Sequence, residues 1–282
     1  MAYKEGDPCL YHGEPNGPSL SVLAALEESG LKIECFALNL LHGDRDLMLQ
    51  DSGSLADKEP KNGYGITDPV AANFSVEGEG PVLVVDGEAM SDSVFLAQYL
   101  DELAGGCGLQ PDDPYARWQM RMWCRQTTER LAPAVAYLGN LAFSQSKIAE
   151  MDAYDFQALK EGWIVSEDLQ DRWQDLYDGG VDTAKVEDSK AKVAQFAERI
   201  ETQFGDGREW LMGEFSIADL ETFAWLRSMR ELEAEAFAGK DHCLAWMGRV
   251  EARPSVQAAL ARATVDNPAY SFAPGPEINR WG

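Results

Sequence analysis

The sequence predicts a small α/β domain followed by an all-helical domain. Three observations carry this. Residues 9–38 read strand, helix, strand; residues 80–103 read strand, tight turn, strand, helix; and everything after the Gly/Pro-rich stretch 105–114 has helical periodicity. The first segment needs a parallel strand pair with a crossover helix, and the second supplies an antiparallel hairpin. The layout is thioredoxin-like, without a redox Cys-x-x-Cys.

The first strand is short: Leu10, Tyr11 and His12, with Cys9 at its edge. A loop rich in Gly and Pro spans 13–18. A helix follows over 19–29, with Leu20, Leu23 and Ala24 on one face and Gly30 as its stop. Residues 31–38 read as the second strand. The connection 42–79 is long and polar, and connections of that length are commonly functional or mobile. Pro81 opens the third strand, where a missing N–H is tolerable. Asp86-Gly87 is a hairpin-turn signal. Asp92-Ser93 then precedes Phe95, Leu96, Tyr99, Leu100 and Leu103, which share one helical face. Past the linker, helices are expected over 115–142 and 186–204, from Ser216-Ile217-Ala218-Asp219 onward, and over 244–250 and 255–263. Residues 267–282 read as an irregular tail. The division is therefore 1–104 for the α/β domain, 105–114 for the linker, 115–264 for the helical domain and 265–282 for the tail.

Composition narrows the function. The chain has 282 residues and a net charge of −24, and a surface this acidic repels nucleic acid and anionic membranes. An anionic ligand must be held by local groups against that field. No apolar run approaches the roughly 20 residues of a membrane span, and the start of the chain lacks the apolar core of a signal peptide. Five cysteines without a CxxC pair argue against a disulfide framework and against a cysteine zinc site. Three scattered histidines make no metal site. A reducing, cytoplasmic home is expected. Near Asp92-Ser93 a strand edge suits a peptide backbone, and a helix start, with its free N–H groups and partial positive charge, suits a carboxylate. Together they form a grip for a small peptide-like anion.

A small thioredoxin-like domain, a short linker and an all-helical domain is the plan of the soluble glutathione transferases, and the chain resembles that family over nearly its whole length. The hairpin from Gly80 to Ser93 is similar to the family's glutathione-binding hairpin, with Pro81 in the place of its cis-proline. Ser216-Ile217-Ala218-Asp219 resembles the family's helix-capping motif, a hydroxyl with an acid three residues on. Within the family, Leu10-Tyr11-His12-Gly13-Glu14-Pro15-Asn16-Gly17-Pro18-Ser19-Leu20-Ser21-Val22-Leu23 resembles the start of the bacterial beta-etherases, which cleave beta-aryl ether bonds of lignin fragments. Those enzymes also carry a long segment inside the helical domain, as residues 144–187 would be here, and a C-terminal extension. Three departures concern the glycine end of the glutathione site: Gly80 stands where a bulky residue is usual, the 42–79 connection is long, and no Asn-Pro-x-Gly approach precedes the hairpin.

The resemblance implies roles residue by residue. Glutathione's thiol has a reference pKa of about 8.5, so a hydroxyl and a helix N-terminus aimed at sulfur would favour the thiolate. Ser19 is the candidate, with Asn16 the alternative donor; the plain readings are an N-cap and a turn residue. Asp92 would read the γ-glutamyl ammonium and Ser93 its carboxylate, although Asp and Ser are also ordinary caps. Gly80, Pro81 and Val82 would face the cysteinyl part. His42 and Arg45 are candidates for the glycine carboxylate. Trp118, Met122, Trp123 and Tyr137 are candidates for an aromatic substrate pocket, and their plain reading is core. The implied activity is displacement of a phenoxide from a beta-aryloxy ketone, with glutathione as co-substrate and no metal. The alternatives are another glutathione-dependent conjugating, isomerising or dehalogenating enzyme, or a non-catalytic subunit. The implied assembly is a homodimer, or a heterodimer with a related chain.

Overall fold

The computed structural model describes residues 8–37, 81–85, 88–163 and 167–271. The strands β1 (Cys9–His12), β2 (Glu34–Ala37), β3 (Val82–Val85) and β4 (Glu88–Met90) form one sheet in the order β2-β1-β3-β4. β1 and β2 run parallel, and β1–β3 and β3–β4 run antiparallel. β2 is shorter than the expected 31–38 because its partner is short: Cys9 lies opposite Glu34 and His12 opposite Ala37. Asp86 and Gly87, the expected turn, lie outside the described residues.

Helix α1 (Gly17–Ser29) makes the parallel crossover. It starts two residues before the expected Ser19, because Pro18 has its φ set for a first helical turn. It stops at Gly30, which takes the left-handed φ of 66°. Helix α2 (Ser93–Leu103) follows the hairpin. Asp101, near its end, accepts the N–H groups of Cys107 and Leu109, and Ile217 N–H donates to Leu109 O, so the linker is tied at both ends.

The stretch expected as one helix over 115–142 is interrupted. It runs as α3 (Pro114–Gln126), a π-helical turn (Thr127–Leu131), α4 (Ala132–Gly139), a second π-helical turn (Asn140–Ser144) and α5 (Gln145–Ala149). Pro133 has no N–H to give the carbonyl one turn back, so the first widening falls just before it. Then come α6 (Ala153–Trp163) and α7 (Glu167–Tyr177), which the sequence reading did not resolve. They enclose a small core of Ile148, Phe156, Trp173 and Leu176. Helix α8 (Thr183–Gln203) begins ahead of the expected 186 because Asp182 caps it through Ala184 N and Lys185 N.

Helix α9 (Ile217–Leu226) is the centre of the molecule: all ten of its residues are buried. A helix hidden on every side should be apolar throughout, yet this one carries Asp219 and Glu221. Asp219 closes the expected capping box by accepting the Ser216 N–H at 3.0 Å. The chain continues through α10 (Met229–Leu232), α11 (Asp241–Glu251) and α12 (Pro254–Leu260). The main core takes Leu10 and Leu83 from the sheet, Leu20 and Leu23 from α1, Leu96 from α2, and Phe223 and Trp246 from the helical part. Among the described residues no helix is long and apolar enough to cross a membrane.

Candidate functional site

Two helix starts and one buried carboxylate form the site. At the start of α2, Asp92 holds φ 76°, ψ 113°, the only positive φ of a non-glycine residue among the described ones. That conformation costs about 1–3 kcal/mol and persists where surrounding structure enforces it. The Asp92 carboxylate accepts from Val94 N at 3.0 Å and Phe95 N at 3.1 Å. The N–H of Ser93, the first helical residue, has no intrahelical acceptor. The Ser93 hydroxyl is committed elsewhere: it donates to Glu221 Oε1 at 2.9 Å.

At the start of α1, Asn16 occupies the N-cap position with extended backbone, and its side chain does not cap. Its Nδ2 donates to Ser271 O at 3.0 Å, while Oδ1 is buried with no hydrogen-bond partner. Ser19 is the third residue of α1 rather than its cap. Its buried Oγ accepts the Gly13 N–H at 3.0 Å, and its own hydrogen has no acceptor among the described residues. A hydroxyl so placed holds a proton that it can offer to a ligand. His12 gives its Nδ1 hydrogen to Gly13 O at 2.7 Å; burial pushes its pKa down, so the ring is neutral.

Helix α9 joins the two starts. Trp225 Nε1 donates to Glu221 Oε1 at 2.9 Å, and the Trp225 ring lies 3.3 Å from where a side chain on Gly17 would begin. A Cβ there would crowd the ring, and the φ of 48° strains any residue but glycine. The C-terminal part of the chain is strapped over α1 and the loop before it. Arg253 and Ser255 bind Glu28, Arg262 binds Glu27, Thr264 binds Glu14, and Ser271 binds Asn16. Next to Ser271, Tyr270 stacks on Phe143 with ring centres 4.0 Å apart.

The other sequence candidates are dispersed. Pro81 and Val82 are buried; Val82 lies opposite Tyr11, and β4 begins its pairing one residue later, at Leu83–Met90. Gly80, His42 and Arg45 lie outside the described residues, and so does one side of the peptide bond expected to be cis. Trp118 is half-exposed and stacks on the exposed Tyr115. Trp123 is buried, with Nε1 donating to Thr222 Oγ1 at 2.9 Å and Arg199 over its ring. Met122 is partly buried. Tyr137 is buried, and burial pushes its pKa up. Sequence reasoning missed Glu221, Trp225, Phe143, Tyr270 and Ser271. For Glu221 a signal existed: an acid inside the run Leu220, Phe223, Ala224, Trp225, Leu226, on a helix too apolar to have a wet face.

No protein-family model matches the chain. In sequence it is similar to the protein LigF of Sphingobium sp. (strain NBRC 103272 / SYK-6), 24% identical over 259 residues, which is 88% of this chain and 91% of that one. It is also similar to glutathione transferase GST 23 of Zea mays, 39% identical over 56 residues, 20% of this chain and 25% of that one. In structure, the chain superposes on the beta-etherase LigF with a TM-score of 0.75 at 21% identity, covering 91% of this chain and 99% of that one. It superposes on a Pseudomonas putida glutathione transferase, solved with one glutathione disulfide bound per subunit, with a TM-score of 0.60 at 20% identity, covering 93% and 94%. The thioredoxin-like sheet followed by a helical region is therefore the glutathione transferase fold.

Proposed function

We propose that this chain is a glutathione-dependent beta-etherase. The observation that carries the reading is the Ser19 hydroxyl, buried in the first turn of α1 with its hydrogen unspent, joined through Trp225 and Glu221 to the Asp92–Ser93 helix start. A γ-glutamyl group at Asp92–Ser93 leads the peptide along β3, past Val82, toward Ser19. There the hydroxyl and the α1 N-terminus favour the thiolate. The thiolate attacks the carbon bearing an aryloxy group beside a ketone. A C–S bond forms, the C–O bond breaks, and the electron pair leaves as phenoxide, which water then protonates. The ring stabilises that charge, so the protein supplies nucleophile, proximity and an apolar slot rather than a strong acid. The stacked Phe143 and Tyr270, next to the Ser271–Asn16 contact, are the aromatic wall proposed for the aryl group. All five cysteines are free thiols, which suits the proposed cytoplasmic setting.

The test is turnover of purified protein with glutathione and a panel of beta-aryloxy ketones, each enantiomer separately. Release of phenol with formation of the glutathione thioether is expected. Conjugation of other electrophiles without ether cleavage would favour the broader transferase reading. In the same assay Ser19→Gly is expected to raise the apparent thiol pKa of bound glutathione, so the rate falls at neutral pH and partly recovers as pH rises. A pH–rate profile identical to wild type in both Ser19→Gly and Ser19→Ala would remove Ser19 from the mechanism.

A dimer is also proposed. Phe95 and Leu103 on α2 and Tyr115 and Trp118 on α3 are large apolar side chains left exposed, and a second copy of this chain or of a related one would cover them. Trp118→Glu is expected to shift the protein toward monomer in sedimentation at micromolar concentration. Wild-type protein that is monomeric there counts against the homodimer.

A further inference from the structure

Glu221 is fully buried on α9, and the described residues offer it no ion pair. Its Oε1 accepts two hydrogen bonds, from Ser93 Oγ and Trp225 Nε1, and its Oε2 is buried. A carboxylate in that position is costly unless something compensates its charge. The neighbours do not: the Ser21 hydroxyl of α1 hydrogen-bonds the carboxyl but brings no charge, and the carboxylate of Asp92 opposes a second negative charge nearby. A cation delivered to the mouth of the site is the missing partner. Ser93 connects the two, since its single proton is directed inward to Glu221 and its oxygen lone pairs are thereby left to accept from a ligand.

We infer that Glu221 is a positioning residue that sets the polarity of the Ser93 hydroxyl, so that Ser93 Oγ accepts from the ligand's α-ammonium while the Ser93 N–H holds the neighbouring carboxylate. The inference rests on the glutathione reading and changes one part of it: the Ser93 side chain reads the ammonium rather than the carboxylate. Asp92 and Glu221 then share the same positive charge, Asp92 from the loop before α2 and Glu221 from beneath it through Ser93. Recognition of the amino group becomes a property of both halves of the fold.

The experiment compares glutathione with glutaryl-cysteinyl-glycine, which is glutathione lacking its amino group, by calorimetry on wild type, Glu221→Gln and Ser93→Ala. Glutamine keeps an oxygen for Ser93 and Trp225 and removes the charge. Glu221→Gln is expected to lower glutathione affinity on the order of tenfold, about what one charge-assisted hydrogen bond is worth, and to leave the affinity for the deaminated peptide within about twofold. Ser93→Ala should show the same selectivity, and it carries the test should Glu221→Gln not fold. Equal losses for both ligands in both variants make Glu221 and Ser93 structural and overturn the inference, as does no loss for either ligand. Wild-type protein that binds neither ligand overturns instead the glutathione reading on which the inference rests.

Discussion

Asp219→Ala is expected to be the most destabilising single substitution on α9. The carboxylate is wholly buried and accepts four hydrogen bonds: from Leu211 N at 3.0 Å, Ser216 N at 3.0 Å, Ser216 Oγ at 3.2 Å and Trp246 Nε1 at 2.9 Å. Alanine strands these donors in the core and opens the capping box. The cost of such a break is about 3–5 kcal/mol, equivalent to a melting temperature roughly 10 °C lower for a chain of this size. Asparagine is a poor rescue. Oδ1 serves Leu211 and Trp246 and Oδ2 serves Ser216 twice, so either orientation of the amide points N–H at donors. Glutathione affinity of the protein that remains folded should not change. A melting temperature within about 2 °C of wild type would refute the structural role.

The same residue predicts a pH dependence. Burial raises the Asp219 pKa from 3.8 to about 6, against the hydrogen bonds that lower it. The folded value lies above the unfolded one, so the folded state holds the proton more tightly. Its contribution is complete below about pH 4 and is lost as pH rises through about 6. Burial raises the Glu221 pKa too, which acts in the same direction. Calorimetry across this range should show a steeper fall of melting temperature with pH in wild type than in Asp219→Ala. Parallel curves would mean that Asp219 does not titrate there.

The order of elements was legible in the sequence because local signals agreed: short continuous apolar runs for β1 and β3, glycine at the end of α1, and hydroxyl or acid caps before α2 and α9. Boundaries were less legible where a partner decided them. β2 is trimmed by the length of β1, and the long helix after the linker is broken where Pro133 withholds a hydrogen bond. Helices α6 and α7 are polar and bury only a few side chains in a core of their own, so their periodicity is faint. In the candidate site, Asp92-Ser93 and the Asn16–Ser19 region stand out in the sequence because caps and turns leave local signatures. What joins them does not. Glu221 lies 128 residues from Ser93 in sequence, and the Asn16–Ser271 contact spans 255 residues. No local pattern encodes such a meeting. Trp118 and Trp123 show the opposite failure, since helical spacing of aromatics cannot tell a pocket from a core or a surface. In the fold they are a surface ring and a core ring.

Asp92→Asn is expected to separate binding from folding. The amide oxygen can still accept from Val94 N and Phe95 N, and asparagine is among the residues that best tolerate positive φ, so the α2 start should survive. The charge proposed to read the ligand's ammonium is gone. The loss should be about 1.5–3 kcal/mol, a roughly 10- to 100-fold weaker glutathione affinity by calorimetry, with the melting temperature close to wild type. Asp92→Gly provides a control with the opposite balance: it gives up the cap but relieves the backbone strain at φ 76°, so stability should again change little while affinity falls as far. Asp92→Ala combines both penalties, having neither the cap nor the conformational freedom, and should lower the melting temperature as well as the affinity. Three variants that bind equally weakly yet differ in stability can be explained only by a carboxylate that binds ligand through its charge and holds the helix through its oxygen. Should the asparagine variant bind glutathione as tightly as wild type, Asp92 is a helix cap alone, and the ammonium must be read by Ser93 and Glu221 without it.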